Sequence, residues 1–300
     1  MYILTNEQAA KTGYLSYLPP SIRNAVRAAG QEGLCEIRLR RGRPAMLYYT
    51  DGRYYLAQQG GRTKEPEQSY IVGARELMRA CEQVFEFSLY AHEDELQQGF
   101  VTIRGGHRIG IAGGARGGKI CGFADVGSMN YRIAHEHIGI AEPVLPELIG
   151  KNRVKNTIII SPPMCGKTSL LRDLTRALSS RGIRVGVCDT RGELAAVYEG
   201  EPGMDIGDAD VLSGISKSAG MMMLLRCMSP DVIVCDELGG AEDAAAAEQI
   251  FGCGVSLLAT AHAADRKELF MRPDMKNLAE RFECVITLGG IGEIREVYHA

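Results

Sequence analysis

Residues 157–169, TIIISPPMCGKTS, decide the fold of this chain. Residues 157–160 form a short β-branched run typical of a buried strand. Residues 167–180 then place four leucines at helical spacing, namely Leu170, Leu171, Leu174 and Leu178. A strand, a tight loop ending in Gly-Lys-Thr and a helix are the context that a phosphate-binding P-loop requires. Because loop N–H groups and the helix dipole together attract phosphate, we expect ATP and Mg²⁺ as ligands.

The loop itself departs from the usual pattern GxxxxGK[ST]. The residues expected to bind nucleotide are Ser161, Pro162, Pro163, Met164, Cys165, Gly166, Lys167, Thr168 and Ser169. Lys167 is expected to reach the β- and γ-phosphates, and the Thr168 hydroxyl to bind Mg²⁺. Ser161 stands where the pattern begins with glycine, which is favoured where φ is positive. Phosphate binding is therefore predicted, and a reduced affinity or rate stays open.

The second half of the chain alternates apolar strands with helices. Predicted strands cover residues 184–188, 232–235, 256–259 and 285–288, and a final hairpin ends near residue 298. This rhythm indicates an α/β domain whose parallel sheet is covered on both faces. The first half mixes short helices (21–29 and 74–84) with hairpins. We predict an α+β domain over residues 1–130, a linker over 131–156 and the P-loop domain over 157–300.

Composition narrows the class of protein. The chain has 300 residues, of which 45% are hydrophobic and 24% charged, with a formal net charge of −3. These values exclude collagen, coiled coil and disorder, and they argue against a dedicated nucleic-acid binder. The start, MYILTNEQAAK, lacks the pattern of a signal peptide, and the nine cysteines are scattered without a CxxC pair. We therefore expect reduced, buried thiols in a cytoplasmic protein.

Acidic residues follow two of the predicted strands. Asp236 and Glu237 come directly after the apolar run 232–235, which resembles a Walker B strand. Asp236 is expected to bind Mg²⁺, and Glu237 to take a proton from the attacking water. Asp189 ends the preceding strand, with Glu193 shortly after it. Those two carboxylates form either a second group near the metal, where Glu193 competes with Glu237 as base, or an ordinary polar loop.

Histidine and arginine side chains complete the candidate site. Thr260 and His262 end the strand SLLATAH, where a γ-phosphate sensor is expected. An arginine commonly completes such sites, and the candidates are Arg104, Arg108, Arg132, Arg226 and Arg272. The run RLRRGR at residues 38–43 suggests either a surface that contacts nucleic acid or anionic lipid or, more simply, a solvated strand edge.

With these motifs in order, the chain resembles the stage III sporulation protein AA family, a branch of the secretion ATPases. The resemblance covers nearly the whole chain and is carried by CEIRLRRGRP, ELQQGFVTIRGGHRIGIAGGA, SMNYRIAHEHIG, NTIIISPPMCGKTSLLRDLTRALS, MMMLLRCMSPDVIVCDELG and ATAHA. Two segments of the site depart from the family pattern. The family's loop usually reads GPPxxGKTT, whereas this chain has Ser161 at the start of the loop and, as a milder departure, Ser169 at its end. The family commonly has DERSE where this chain has DTRGE at residues 189–193.

The resemblance implies a fold and an activity that spacing alone does not show. It implies a RecA-like P-loop NTPase core and a hexameric, ATP-driven motor that assembles with membrane proteins of a sporulation channel complex. Such a motor is expected in the cytoplasm at the mother-cell side of the membrane, and the ring is expected to form, in some cases, only on its partner. Lys167, Thr168, Asp236, Glu237 and His262 match the family's motifs. Arg108 and Arg132 match arginines of its N-terminal domain and linker.

Two alternatives remain at the level of sequence. Ser161 and DTRGE suggest a nucleotide-binding scaffold that assembles but barely hydrolyses ATP. A nucleic-acid motor is the third hypothesis, because RecA-like cores also serve helicases and recombinases. The near-neutral charge of the first half argues against that third hypothesis, and we expect no nucleic-acid partner.

Overall fold

The computed structural model describes residues 13–86, 99–114, 122–151, 153–272 and 275–300. The chain divides into two compact units, Met1–His135 and Glu136–Ala300. The first unit is α+β and the second is α/β with a largely parallel sheet, so the predicted fold class is confirmed.

The first unit is built on a seven-stranded antiparallel sheet with the order β4-β3-β2-β1-β7-β6-β5. Its strands are β1 (Leu34–Arg40), β2 (Met46–Tyr49), β3 (Gly52–Leu56), β4 (Arg62–Thr63), β5 (Phe100–Ile103), β6 (His107–Gly113) and β7 (Val126–Arg132). Helices α1 (Pro20–Ala29) and α2 (Ala74–Val84) accompany it, with 3-10 turns at Gly13–Tyr17, Pro66–Gln68 and Phe123–Asp125.

Helices α1 and α2 each bury one apolar face, as their sequence periodicity predicts. Ile22 and Val26 of α1 and Leu77 and Val84 of α2 are almost fully buried in the core that they share with the strands. Removing these side chains from water is the main favourable term that holds helix and sheet together.

The arginine-rich run lies in the interior of the sheet. β1 is hydrogen-bonded to β2 on one side and to β7 on the other, so the interpretation of a strand edge is wrong. The charge is accommodated locally, because Arg38 Nε lies 3.0 Å from Glu36 Oε2 and its guanidinium lies 5.2 Å from the centre of the Tyr48 ring. Arg41 and Arg43 follow the strand and are exposed.

The second unit has a seven-stranded sheet with the order β10-β9-β11-β12-β8-β13-β14. Its strands are β8 (Thr157–Ser161), β9 (Val185–Asp189), β10 (Asp210–Ser213), β11 (Val232–Cys235), β12 (Ser256–His262), β13 (Cys284–Gly290) and β14 (Glu293–His299). Neighbours are parallel except for the hairpin β13–β14. The helices are α3 (Leu145–Leu148), α4 (Lys167–Ser179), α5 (Lys217–Cys227), α6 (Ala241–Gly252), α7 (Arg266–Met271) and α8 (Lys276–Ala279).

Alternate residues of the central strands enter two different hydrophobic cores. Ile158 and Ile160 pack into the core that α5 and α6 cover, whereas Ile159 packs into the core that α4 covers. Because successive side chains of a strand point to opposite faces, this alternation shows that both faces of the sheet are covered. A sheet covered in this way reads in sequence as the continuous apolar runs that predicted it.

Residues 136–156 belong to the second unit and pack against its core. Ala141, Val144, Leu145, Leu148 and Val154 are buried with the leucines of α4. The expectation of a linker over 131–156 therefore does not describe this segment, since apolar burial fixes it to the sheet. A buried carboxylate adds to this attachment, because Asp173 of α4 accepts the N–H of Ala141 at 2.8 Å.

Cysteine side chains divide between core and surface. Cys81, Cys188, Cys235 and Cys284 are buried, whereas Cys227 and Cys253 are exposed and Cys121 lies outside the described residues. Burial raises the pKa of the Cys81 thiol to about 12 and that of Cys284 to about 11. Thiols of this kind stay protonated and unreactive.

In the part of the chain that the structure describes, no helix combines the length and the apolar character that crossing a bilayer demands.

The attachment of residues 136–156 can be tested at Asp173, which is 3% exposed and also accepts from Arg176 Nε and Nη2 at 2.8 and 2.7 Å. Asp173→Ala is expected to lower the free energy of unfolding by about 2–3 kcal/mol, because buried donors lose a charged acceptor. Urea-induced unfolding measures this change.

Glu142→Ala is the matched control, since this carboxylate is 57% exposed and lies 3.6 Å from Arg181. Exposed pairs contribute about 0.5 kcal/mol or less. Equal effects of the two substitutions would contradict the attachment of this segment through Asp173.

Candidate functional site

The predicted site residues of the second unit gather at one edge of its sheet. β8, β9, β11 and β12 run parallel, so their carboxyl ends meet at the same edge. Ser161, Asp189 and His262 end three of these strands, and Asp236 directly follows the fourth. Carboxyl ends of parallel strands are where ligands bind in open α/β sheets.

The loop between β8 and α4 needs glycine at Gly166. Its φ is +86°, and a Cβ atom there would lie 2.9 Å from the Cα atom of Ile291. Both the backbone conformation and the close approach therefore exclude a larger side chain. Gly166 is also the N-cap residue of α4, so its geometry sets the start of the helix.

Ser161, the departure from the usual loop pattern, costs little in backbone geometry. It is fully buried, it pairs with His262 in the β8–β12 register, and its φ is not positive. Besides Gly166, the residue of this loop with a left-handed backbone is Met164, which has a φ of +63° and is 97% exposed. The Ser161 hydroxyl donates to the carbonyl of Pro162 at 2.7 Å.

The Lys167 ammonium lies inside the loop. Nζ donates to the carbonyls of Ser161 at 3.1 Å and Pro162 at 3.2 Å, and to the Ser161 hydroxyl at 3.2 Å. Burial lowers the pKa of Lys167, and the nearby carboxylates of Asp236 and Glu237 oppose this change. Because these hydrogen-bond acceptors are neutral, a phosphate anion in the loop would be a more favourable partner for the ammonium.

Asp236 is held by hydroxyl groups on both of its oxygens. Thr168 Oγ1 donates to Oδ2 at 2.8 Å, and Thr260 Oγ1 donates to Oδ1. Thr260 is fully buried, and its Oγ1 atom also accepts the backbone N–H of Glu237 at 2.8 Å. A hydroxyl and a carboxylate beside a phosphate loop fit Mg²⁺, which is commonly bound by one or two protein oxygens, phosphate and water.

Within the described residues, no group of three or more histidine, cysteine or acidic side chains is arranged to hold a metal by itself.

Glu237 adopts a backbone conformation that is unusual for its residue type. Its φ is +54°, which costs about 1–3 kcal/mol in a residue other than glycine. Its carbonyl accepts a hydrogen bond from Lys217 Nζ, and its Oε2 atom lies 2.7 Å from Arg191 Nη1. Such strained residues cluster at functional sites, where surrounding contacts maintain them.

His262 lies between Lys167 and Glu237. Its Nδ1 atom is 3.1 Å from Lys167 Nζ, and its Nε2 atom is 3.4 Å from Glu237 Oε1. An ammonium group can only donate, so we assign Nδ1 as the acceptor and the ring proton to Nε2. The imidazole therefore links the phosphate loop to the carboxylate after β11.

Asp189 anchors a loop instead of joining a second metal-binding group. It is 1% exposed, and its Oδ1 and Oδ2 atoms accept four backbone N–H groups, those of Glu193 (2.8 Å), Leu194 (3.2 Å), Ala195 (2.8 Å) and Ala196 (3.3 Å). A carboxylate engaged in this way is a poor ligand for a second cation. The alternative of a structural polar loop therefore describes Asp189 better.

Glu193 lines the same cavity as Glu237. The cavity has a volume of about 140 Å³ and is lined by Asp189, Thr190, Arg191, Glu193, Lys217, Asp236 and Glu237. The backbone carbonyl of Glu193 is held by Arg172 Nη2 at 2.6 Å. Both glutamates therefore remain candidates for the proton-accepting role.

The predicted arginines are spread over both units. Arg132 ends β7 of the first unit and stands opposite Glu36 and Arg108 in the strand register. Arg272 donates to the backbone carbonyl of His262 at 3.0 Å. The role of Arg132 as the arginine that completes the site stays a prediction.

Sequence reasoning missed two cationic partners of Glu237. In the sequence, Arg191 is distinguished only as part of DTRGE. Its position in the loop after β9, the strand that pairs with β11, is the feature that could have predicted its contact with Glu237. Lys217 begins α5 and lies 3.4 Å from Asp243 while it contacts the Glu237 carbonyl. No local pattern marks Lys217.

Comparison with known proteins places the chain among sporulation proteins. The family model described as "Sporulation stage III, protein AA" matches residues 13–300. Stage III sporulation protein AA of Bacillus subtilis (strain 168) is 38% identical over 298 residues, which cover 94% of this chain and 92% of that protein.

Two solved structures share the fold of this chain. The Legionella pneumophila ATPase DotB has a TM-score of 0.61 at 15% identity, covering 90% of this chain and 76% of its own. The pilus retraction motor PilT with bound ADP has a TM-score of 0.57 at 16% identity, and the match covers 91% of this chain and 80% of the PilT chain. The expectation of a RecA-like fold is thereby confirmed.

The anchoring role of Asp189 predicts a local change in amide protection. In Asp189→Asn, the backbone N–H groups of residues 193–196 are expected to exchange with deuterium about tenfold to a hundredfold faster, because a buried charged acceptor is lost. Hydrogen–deuterium exchange with peptide-level mass spectrometry measures this protection.

Asp210→Asn, at an exposed position of β10, serves as the control and should leave the exchange of residues 193–196 unchanged. Unaltered exchange in Asp189→Asn would refute the anchoring role.

Proposed function

The chain belongs to the sporulation stage III protein AA family, and on that premise we propose that it is a magnesium-dependent ATPase. It hydrolyses ATP to ADP and phosphate to energise assembly of, or transport through, a membrane channel complex during endospore formation. One observation carries the proposal: Lys167, Thr168, Asp236, Glu237 and His262 are linked by direct contacts at one edge of a parallel sheet.

Binding of the triphosphate begins at the loop. Lys167 exchanges the neutral oxygens of Ser161 and Pro162 for the β- and γ-phosphates, and the first N–H groups of α4 face the same anion. Thr168 and Asp236 already share a hydrogen bond, and both are placed to hold Mg²⁺. The ion, when bound, neutralises charge that develops on the phosphate oxygens.

Proton transfer is assigned to Glu237. A water molecule attacks the γ-phosphorus in line, the bond to the bridging oxygen of ADP breaks, and the proton of the water passes to the Glu237 carboxylate. Glu193, on the same cavity, is the alternative base. His262 contacts Lys167 and Glu237 together, so it is placed to respond when a γ-phosphate arrives between them.

The relatives support a motor in sporulation. DotB is described as an ATPase and PilT as a pilus retraction motor with bound ADP, and both share the fold of this chain. The Bacillus subtilis relative carries the sporulation role in its name. We extend these properties to a homo-oligomer, a hexamer that forms on its partner and acts on membrane proteins of a sporulation channel complex. We propose a cytoplasmic location at the mother-cell side of the membrane.

One observation favours a second candidate function, a nucleotide-binding scaffold with little hydrolysis. Arg191 Nη1 lies 2.7 Å from Glu237 Oε2, so the guanidinium occupies a carboxylate oxygen that the attacking water would need. If this contact persists with ATP bound, the oxygen cannot receive the proton of that water, and the chain binds nucleotide without turnover.

Phosphate release from Mg-ATP, measured over a series of protein concentrations, tests the proposal. Glu237→Gln is expected to lower turnover by about a hundredfold or more while nucleotide still binds, because the amide cannot accept the proton. Lys167→Ala is expected to abolish both binding and turnover. Glu242→Gln, at an exposed position of α6, is the control and should match the parent.

The outcomes separate the candidates. Turnover that rises per subunit with concentration indicates an oligomeric motor. Binding without release, equal in the parent and in Glu237→Gln, favours the scaffold. Hydrolysis by Lys167→Ala at the parent rate would show that the site has been assigned wrongly.

A further inference from the structure

The turn of the β13–β14 hairpin contains an exposed isoleucine. Residues 289–292 read Gly-Gly-Ile-Gly, and Ile291 is 52% exposed. Turn positions are usually glycine, proline or small polar residues, which stabilise turns through backbone freedom or hydrogen bonds. A branched apolar side chain at this place is therefore unusual and suggests that something else covers it.

This isoleucine lies directly beside the phosphate loop. A Cβ atom on Gly166 would lie 2.9 Å from Ile291 Cα and 3.0 Å from its Cγ1 atom. On the other side of the turn, a Cβ atom on Gly292 would lie 3.3 Å from Ile140 Cγ2. Ile140, Ile291 and the backbone of Gly292 thus form an apolar surface next to the start of α4, which we call the apolar ledge.

The order of strands in the sheet indicates how a bound nucleotide would be oriented, with its γ-phosphate toward one side of β8 and its base toward the other. β12 flanks β8 on one side and carries His262, with Asp236 and Glu237 after the next strand, β11. β13 flanks β8 on the opposite side and leads into the apolar ledge. When the γ-phosphate faces His262 and Glu237, the α-phosphate end and the attached nucleoside must point away from them, toward β13.

We propose that the apolar ledge binds the base of the nucleotide. This inference rests on the proposed function and adds to it the recognition of a flat, apolar ring face by Ile291 and Ile140. Ile291 is 52% exposed and lies beside Gly166 at the start of α4, so its side chain is accessible to a base whose phosphates occupy the loop. Burial of apolar area would then supply affinity that phosphate alone lacks.

Binding of two ligands to the full chain tests the ledge: ADP and inorganic pyrophosphate, each with Mg²⁺. They carry the same number of phosphates, and only ADP has a base. Ile291→Ala is expected to weaken ADP binding roughly fivefold to tenfold, since part of a branched side chain leaves the contact. Pyrophosphate affinity should stay within about twofold of the parent, as no phosphate contact is altered. Isothermal titration calorimetry measures both affinities.

Two further variants sharpen the test. Ile291→Leu keeps an apolar side chain and should retain ADP affinity within about twofold. Ile149→Ala removes an isoleucine that is 44% exposed and lies just before β8, away from the loop, and should change neither ligand.

Each remaining outcome contradicts the proposal in a recognisable way. Unchanged ADP affinity in Ile291→Ala would exclude the ledge as the base site. Equal losses for ADP and pyrophosphate would assign Ile291 to support of the phosphate loop alone. If the parent chain binds neither ligand, the proposed function itself fails and the base site fails with it.

Discussion

Two hydrogen bonds to the Asp236 carboxylate hold the candidate site together. Thr168 at the start of α4 and Thr260 on β12 each donate to one of its oxygens, so the loop, β11 and β12 meet at a single side chain. The Thr260 hydroxyl also accepts the N–H of Glu237 and thereby supports its left-handed backbone. Loss of the Thr260 hydroxyl would release both Asp236, the proposed Mg²⁺ ligand, and Glu237, the proposed base, because this one hydroxyl orients both residues.

Two residues at this edge of the sheet have strained backbone conformations, and the strands next to them are buried. Met164 and Glu237 both have positive φ values, which cost about 1–3 kcal/mol each. Between them, β8, β11 and most of β12 are fully buried, with a hydrophobic core on either face. Because close-packed strands resist displacement, the polar side chains at the ends of these strands are held in fixed positions. Side chains on flexible loops would be held less precisely.

Sequence patterns predicted the elements whose signals are local. β8, α4, β11 and the β13–β14 hairpin follow from apolar periodicity and turn residues. The attachment of residues 136–156 was missed because it depends on burial against α4, and β7 was missed because its pairing with β1 and β6 is a long-range property. Roles within the site divide in the same way. Motif order indicated Lys167 and Asp236, whereas the anchoring by Asp189 and the contacts of Arg191 and Lys217 depend on how loops from separate strands meet.

The Mg²⁺ dependence of ATP hydrolysis in Thr260→Val tests the central arrangement most directly. Valine keeps the shape of the side chain but removes the hydroxyl that orients Asp236 and Glu237. We expect turnover to fall by about tenfold to a hundredfold and half-saturation to require more Mg²⁺, with Thr260→Ser restoring both. Parent-like turnover and Mg²⁺ dependence in a folded Thr260→Val protein would contradict this account.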